Sequence, residues 1–430
     1  MFVVSLRRAL TALLMFPLFA AAGVPAPAPA TGINGADTAW MLVSTVLVFL
    51  MTMPGIMLFY SGMLRKRNAL SIMAQTIGAI GVITFFWAVI GYSLAFASGS
   101  AWLGGFGNAW AAGLIGNQGA GHVLAPHIPE AVFFLFQMAF AIIAFALVLG
   151  ATAERMRIGA TLVFAALWLV LVYAPVAHWV WHPEGWLAGL GHLDFAGGTV
   201  VHVVAGATGL AAALAAGPRR GFGREPMVPH NLAFTVLGAG LLWAGWFGFN
   251  AGSAFEASNR AAGALLCTQL AAGTGALVWG MCEMFRRQQM SVLGMATGAI
   301  AGLIAITPAS GYTGVGGALA IGAAGSVVCF FAVTGLKTVT GIDDSLDVFA
   351  LHGIGGLVGT LLTPVFALPG VGGGSGSFAV NLVGGLAVML YAFVTSFVLL
   401  KFIQLLIGLR VTEKQEMVGL DLAQHGESAT

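Results

Sequence analysis

DFAGGTVVHVVAG, residues 194–206, carries His202 through the middle of an apolar run, with Asp194 eight residues before it and no charge between them. An ionisable group in such a helix costs several kcal/mol unless it faces a protein interior or a cavity. The rest of the chain decides which surroundings apply. Of 430 residues, 59% are hydrophobic and only 7% are charged, against roughly 25% charged in an ordinary soluble domain. So few polar residues cannot cover a water-facing surface, and the mean hydropathy of +0.95 agrees. The fold class is an all-α polytopic membrane protein set in a lipid bilayer. The 62 glycines suit close helix packing in lipid. A net charge of +2 offers no field for nucleic acid. Cys267, Cys282 and Cys329 lie in apolar runs without ligand spacing, so neither a metal nor any other cofactor is expected.

The first residues have the pattern of a secretory signal peptide, 1–22, with Arg7 and Arg8 ahead of an apolar stretch and small residues at Ala20 to Ala22. A proline-rich periplasmic segment follows over 23–37. A bilayer crossing needs about 20 apolar residues. Eleven such runs fill 38–408: 38–62, 70–97, 130–152, 159–180, 197–216, 232–252, 262–283, 291–308, 314–336, 347–367 and 379–408. The basic residues test this count. Of 17 Lys and Arg, two lie in the signal; of the other 15, all but Arg260 fall in alternate connections or the tail. Those are Arg65 to Arg67, Arg155 and Arg157, Arg219 to Arg224, Arg286 and Arg287, Lys337, and Lys401 to Lys414. That is the positive-inside pattern of eleven spans, N-out and C-in. It implies the cell inner (plasma) membrane, a periplasmic N-terminus and a cytoplasmic tail over 409–430. The intervening loops carry acids and histidines, so the outer mouth should be mildly acidic.

The stretch has an echo 150 residues on, DVFALHGIGGLVGT at 347–360. His202 is followed by Gly206 and Gly209, and His352 by Gly356 and Gly359. The two helices are the fifth and tenth spans. A repeat of five spans is odd, so its copies sit inverted and place a site near the midplane where they meet. Glycines let the helices approach, and two neutral imidazoles can pair, one donating and one accepting. Eight residues at 1.5 Å rise put Asp194 about 12 Å from His202, too far to bond it, so a helix N-cap role fits. Asp347 before the tenth span is read the same way. Thr307 is expected to bond backbone at a helix end, and Gln137 to face the mouth.

The motifs LDFAGGTVVH, WFGFNAGS, TPASGYTGVGGAL, DDSLDVFALHG and PGIMLFYSG closely resemble the ammonium transporter family, bacterial Amt with its Rh relatives. AERMR and the tail GLRVTEKQEMVGLDLAQHGESA fit it too, so the likeness runs from about residue 36 to the end. It implies eleven helices in a five-plus-five inverted repeat, a homotrimer with a pore in each subunit, and transport rather than an enzyme activity. Carried over by motif, His202 and His352 are the pore histidines, and Phe140 and Phe249 the stacked rings closing the pore mouth. Trp181, Ser253 and Phe140 would form the ammonium-binding site, where an aromatic face attracts the cation. Asp194 would support that site indirectly. The family tail packs under a neighbouring subunit and receives a cytoplasmic PII-type signal protein, with Gly419 as its glycine.

The likeness is poor over 98–129, and Glu184, Trp186 and His192 match nothing in it. An ammonium sensor with little transport is the alternative; the expectation from a chain with no signalling domain through 430 sets it second. Paired histidines on two spans could also ligate haem, but that class needs no aromatic closure.

Overall fold

The computed structural model describes residues 32–115, 121–372 and 376–429. The expected signal peptide and most of the segment after it lie outside these residues. Every regular element among the described residues is helical, and ten helices are long and apolar enough to cross a membrane. In chain order they are α1 Gly35–Met63, α2 Lys66–Phe96, α3 Glu130–Thr152, α4 Ile158–Gly189, α5 Gly198–Ala216, α6 Leu232–Gly252 and α7 Asn259–Arg287. After α8, Val292–Ile306, come α9 Val315–Thr340, α10 Phe349–Phe366 and α11 Phe378–Leu406. Helix α8 coincides with the expected eighth run but has only 15 residues, about 22 Å of rise.

The boundaries follow local chemistry. Helix α1 begins three residues earlier than expected because the Asn34 side chain accepts the amides of Ala36 and Asp37. Ser258, Ser291 and Ser377 cap α7, α8 and α11 in the same way. In α1, Pro54 lies within a widened π-type turn, Met51–Ile56, which accommodates its missing amide hydrogen. Helix α4 breaks after Trp181 and resumes for one turn at Trp186–Gly189.

Helices α3 and α5 are the most buried, and α11 among the least. The centre of the bundle is therefore α3, α5 and the helices crossing them. Gly206 of α5 lies against the backbone of Gly353, and Gly356 of α10 against the Cβ of His202, so neither site has room for a side chain.

At one end of the bundle the connections are tied together by charge. Glu154 accepts from the backbone and guanidinium of Arg65, from Asn68 and from Arg219. Arg219 also forks onto Asp343, and Arg155 donates to Ser345. The tail docks on this network rather than extending into solvent. Arg410 pairs with Glu416 at 2.7 Å, and Asp421 accepts the amides of Leu70 and Ser71 at 3.1 and 2.7 Å. A capping box at Thr412 and Gln415 starts the short helix α12, Glu413–Val418.

Candidate functional site

At the end of the bundle opposite the tail, a vestibule of about 280 Å³ is lined by Gln137, Phe140, Trp181, Asp194, Ser253 and Arg260, among others. Asp194 lies in the turn before α5. One carboxylate oxygen accepts the amides of Gly197 and Gly198 at 2.9 and 2.7 Å, and the other those of Thr199 and Val200 at 2.9 and 3.1 Å. One side chain thus satisfies the first donors of the helix and places a negative charge at the positive end of its dipole. Gly197, at φ +105°, makes the turn that lets the carboxylate reach back. The Asp194 carbonyl accepts the Trp181 indole N–H at 3.0 Å, which fixes that ring over the vestibule. The Ser253 hydroxyl donates to Phe249 O at 2.9 Å, leaving its oxygen lone pairs to accept.

Phe140 and Phe249 stack with centroids 4.1 Å apart and planes 13° apart. Trp181 meets Phe140 edge-on at 6.0 Å. The Phe140 ring lines the vestibule and the Phe249 ring lines the next cavity, so the stack is the partition between them. That second cavity is narrow, about 20 Å³, with both histidines in its wall. The two Nδ1 atoms are 3.1 Å apart, so one ring donates and the other accepts. Trp246 stacks on His202 at 5.3 Å and is itself held by a 2.9 Å bond to the Thr307 hydroxyl. Thr307 in turn donates to Leu303 O, as the sequence led one to expect. Nε2 of His202 is buried without a protein partner among the described residues. A bare hydrogen-bonding atom in the wall of an otherwise apolar cavity can take a small polar solute.

Two expectations change. The mouth is not simply acidic: Arg260 lines the vestibule with Asp194, its guanidinium between the Phe195 and Tyr312 rings at 4.9 and 5.0 Å. Asp347 does not cap the tenth helix. Asp344 does, accepting Phe349 N at 2.7 Å, while Asp347 pairs with Lys337 at 3.0 Å. Asp194 and Asp344 are therefore separated by 150 residues, the same offset as the histidines. Gln137 does line the vestibule, and its Oε1 is unpartnered.

Of the unmatched residues, His192 lines the vestibule itself, while Glu184 and Trp186 lie outside its lining. Glu184 accepts Gly99 N at 2.8 Å, and the Trp186 ring lies 5.4 Å from that of Trp102. Nε2 of His192 is 3.0 Å from the Thr199 hydroxyl. Burial pulls its imidazole down to about 4 against an opposing contact with the Val380 backbone, so it is neutral near pH 7.

These features define a multi-pass helical membrane protein with an internal cavity behind an aromatic partition. The model of the Ammonium Transporter Family matches residues 39–430, and the chain belongs to that family. A putative ammonium transporter of Methanothermobacter thermautotrophicus is 42% identical, covering 92% of this chain and 98% of its own length. An ammonium transporter of Bacillus subtilis is 43% identical, with coverage of 91% and 98%. Among solved structures, Candida albicans Mep2 superposes with a TM-score of 0.83 at 38% identity, covering 92% of this chain and 90% of that one. A sensor Amt protein reaches 0.83 at 28% identity, covering 91% and 98%.

Proposed function

We propose that the protein moves ammonium across the inner membrane. The observation that carries this reading is the order of the chambers: a vestibule with a carboxylate and aromatic faces, a stacked-ring partition, and a narrow cavity walled by paired histidines. A cation is attracted to the Trp181 and Phe140 faces and donates to Ser253 Oγ. The partition excludes hydrated ions, whose water shells do not fit. Ammonium loses its proton there, and ammonia passes along His202 and His352. Where that proton also crosses, by a separate path, the net step carries charge. Membership of the family and relatives named ammonium transporters support the substrate.

The same reading places eleven spans with the vestibule outside and the tail inside, α8 crossing as the short eighth span, in a homotrimer. A PII-type signal protein docking on the tail-bearing face would close the pores. The measurement is current across solid-supported membranes carrying proteoliposomes, evoked by an ammonium jump. Absence of both an ammonium-evoked current and methylammonium uptake into liposomes, with substrate still bound, would instead favour the sensor, the reading supported by the likeness to the sensor Amt protein.

A further inference from the structure

On the tail-bearing face a cavity of about 320 Å³, open to solvent, is lined by Arg65, Arg67, Arg220, Glu225, Glu416 and Met417. Arginines on this face follow from topology. Topology does not explain why three, from two separate connections, converge on one cavity beneath the tail. Arg65 is already paired with Glu154 at 2.8 Å. Glu416 is taken by Arg410 and by the backbone amide of Arg220. Among the described residues, the guanidinium groups of Arg67 and Arg220 have no hydrogen bond or ion pair, and Glu225 is the lining carboxylate left to oppose them. Two free cations thus face one free anion.

The position matters as much as the charge. The stem of Arg67 packs against Gly419, which sits at φ +103° where the tail turns after α12. Leu420 N then donates to Asn68 Oδ1 at 2.9 Å. An unpaired guanidinium therefore extends from the residue whose stem seats the tail, and a second lines the same cavity from the connection before α6. A tetrahedral oxyanion suits this pair: each planar fork can donate two parallel N–H bonds to it.

We propose that this cavity binds a phosphate-bearing anion between Arg67 and Arg220, and that binding clamps the tail onto the first and third connections of its face. The site is independent of what passes through the pore. The phosphate can arrive on a soluble compound or on a lipid headgroup, and the chemistry at the arginines is the same.

The test uses the full chain in nanodiscs, with the rate of protease cleavage in the tail as readout. In phosphatidylcholine discs at matched ionic strength, millimolar inorganic phosphate in place of chloride is expected to slow cleavage. Protection there identifies a soluble source; protection only in discs containing phosphatidylglycerol identifies a headgroup. Each of Arg67→Gln and Arg220→Gln is expected to weaken binding about tenfold, the loss of one charge-assisted contact. Arg224→Gln, in the same connection but outside the cavity lining, is expected to leave it unchanged. Absence of protection under both conditions overturns the proposal, as does protection that survives Arg67→Gln combined with Arg220→Gln.

Discussion

Nδ1 of His202 and Nδ1 of His352 lie 3.1 Å apart, bridging two helices whose sequences are separated by 150 residues. Each imidazole fixes the proton position of the other. Replacing His202 with alanine leaves the His352 nitrogen buried without its partner, a loss of about 1–3 kcal/mol. If the pair serves passage, His202→Ala lowers the ammonium-evoked current by about tenfold or more. Solid-supported membrane recordings of parent and variant at equal protein density decide the matter; equal currents would remove the pair from the path.

The approach of the two helices depends on Gly206. A Cβ there would meet the backbone nitrogen and Cα of Gly353, which no side-chain rotation can relieve. Gly206→Ala is therefore expected to lower stability by about 1–3 kcal/mol, the usual range for overpacking, and to part the histidines. Gly263→Ala, where nothing lies within 4 Å, serves as the control and should not destabilise. Thermal unfolding of the two variants in detergent checks the contrast. A Gly206→Ala protein as stable as the control would mean the helices are not closely packed there.

Asp194 is expected to act on the fold of the vestibule before it acts on charge. Asp194→Ala strands four amides at the start of α5, beyond the usual ~0.5–2 kcal/mol of a lost cap because the site is buried. Asp194→Asn keeps one oxygen acceptor and so loses less. The expected order of unfolding temperatures is parent, then Asn, then Ala. An Asn variant that matches the parent in stability but carries no current would assign the carboxylate's charge a direct part in passage.

Where local chemistry governs, the sequence suffices. The alternation of Arg65 to Arg67, Arg155 and Arg157, and Arg219 to Arg224 is enough by itself to sort the connections between the two faces. The tail-bearing network then gathers Arg65, Arg155 and Arg219 around Glu154 and Asp343. The histidine pair was legible because Gly206 and Gly356 repeat its spacing. Asp347 misled because a carboxylate just before a helix looks like its cap. In the fold the Asp347 backbone sits at φ +58° and its side chain pairs with Lys337, so Asp344 reaches the helix start instead. Arg260 and Tyr312 were invisible as vestibule residues because only tertiary packing brings them beside Asp194. The described parts of the segment 98–129, residues 98–115 and 121–129, are held by irregular backbone bonds, such as Gly104 N to Leu94 O, which leave no period to read.

The tail-bearing network makes stability depend on pH with a definite sign. Burial alone would raise the carboxyls of Glu154 and Asp343. Hydrogen bonds from Arg65 to Glu154 and from Arg219 to Asp343, with the arginine charges, outweigh it and hold both below their ordinary values. A carboxyl whose folded value is depressed stabilises the fold above its unfolded value, about 4. That contribution is lost as pH falls through the lower folded value. The parent protein should therefore lose stability steeply on acidification below about pH 4. Glu154→Gln should already have lost it at neutral pH, by about 1–3 kcal/mol, since Arg65 loses its carboxylate partner while Arg219 keeps Asp343. Its unfolding temperature should then vary less with pH than that of the parent. Thermal unfolding of both proteins from about pH 7 to about pH 3 measures this. Parallel curves would show that Glu154 is not the group whose protonation loosens the face.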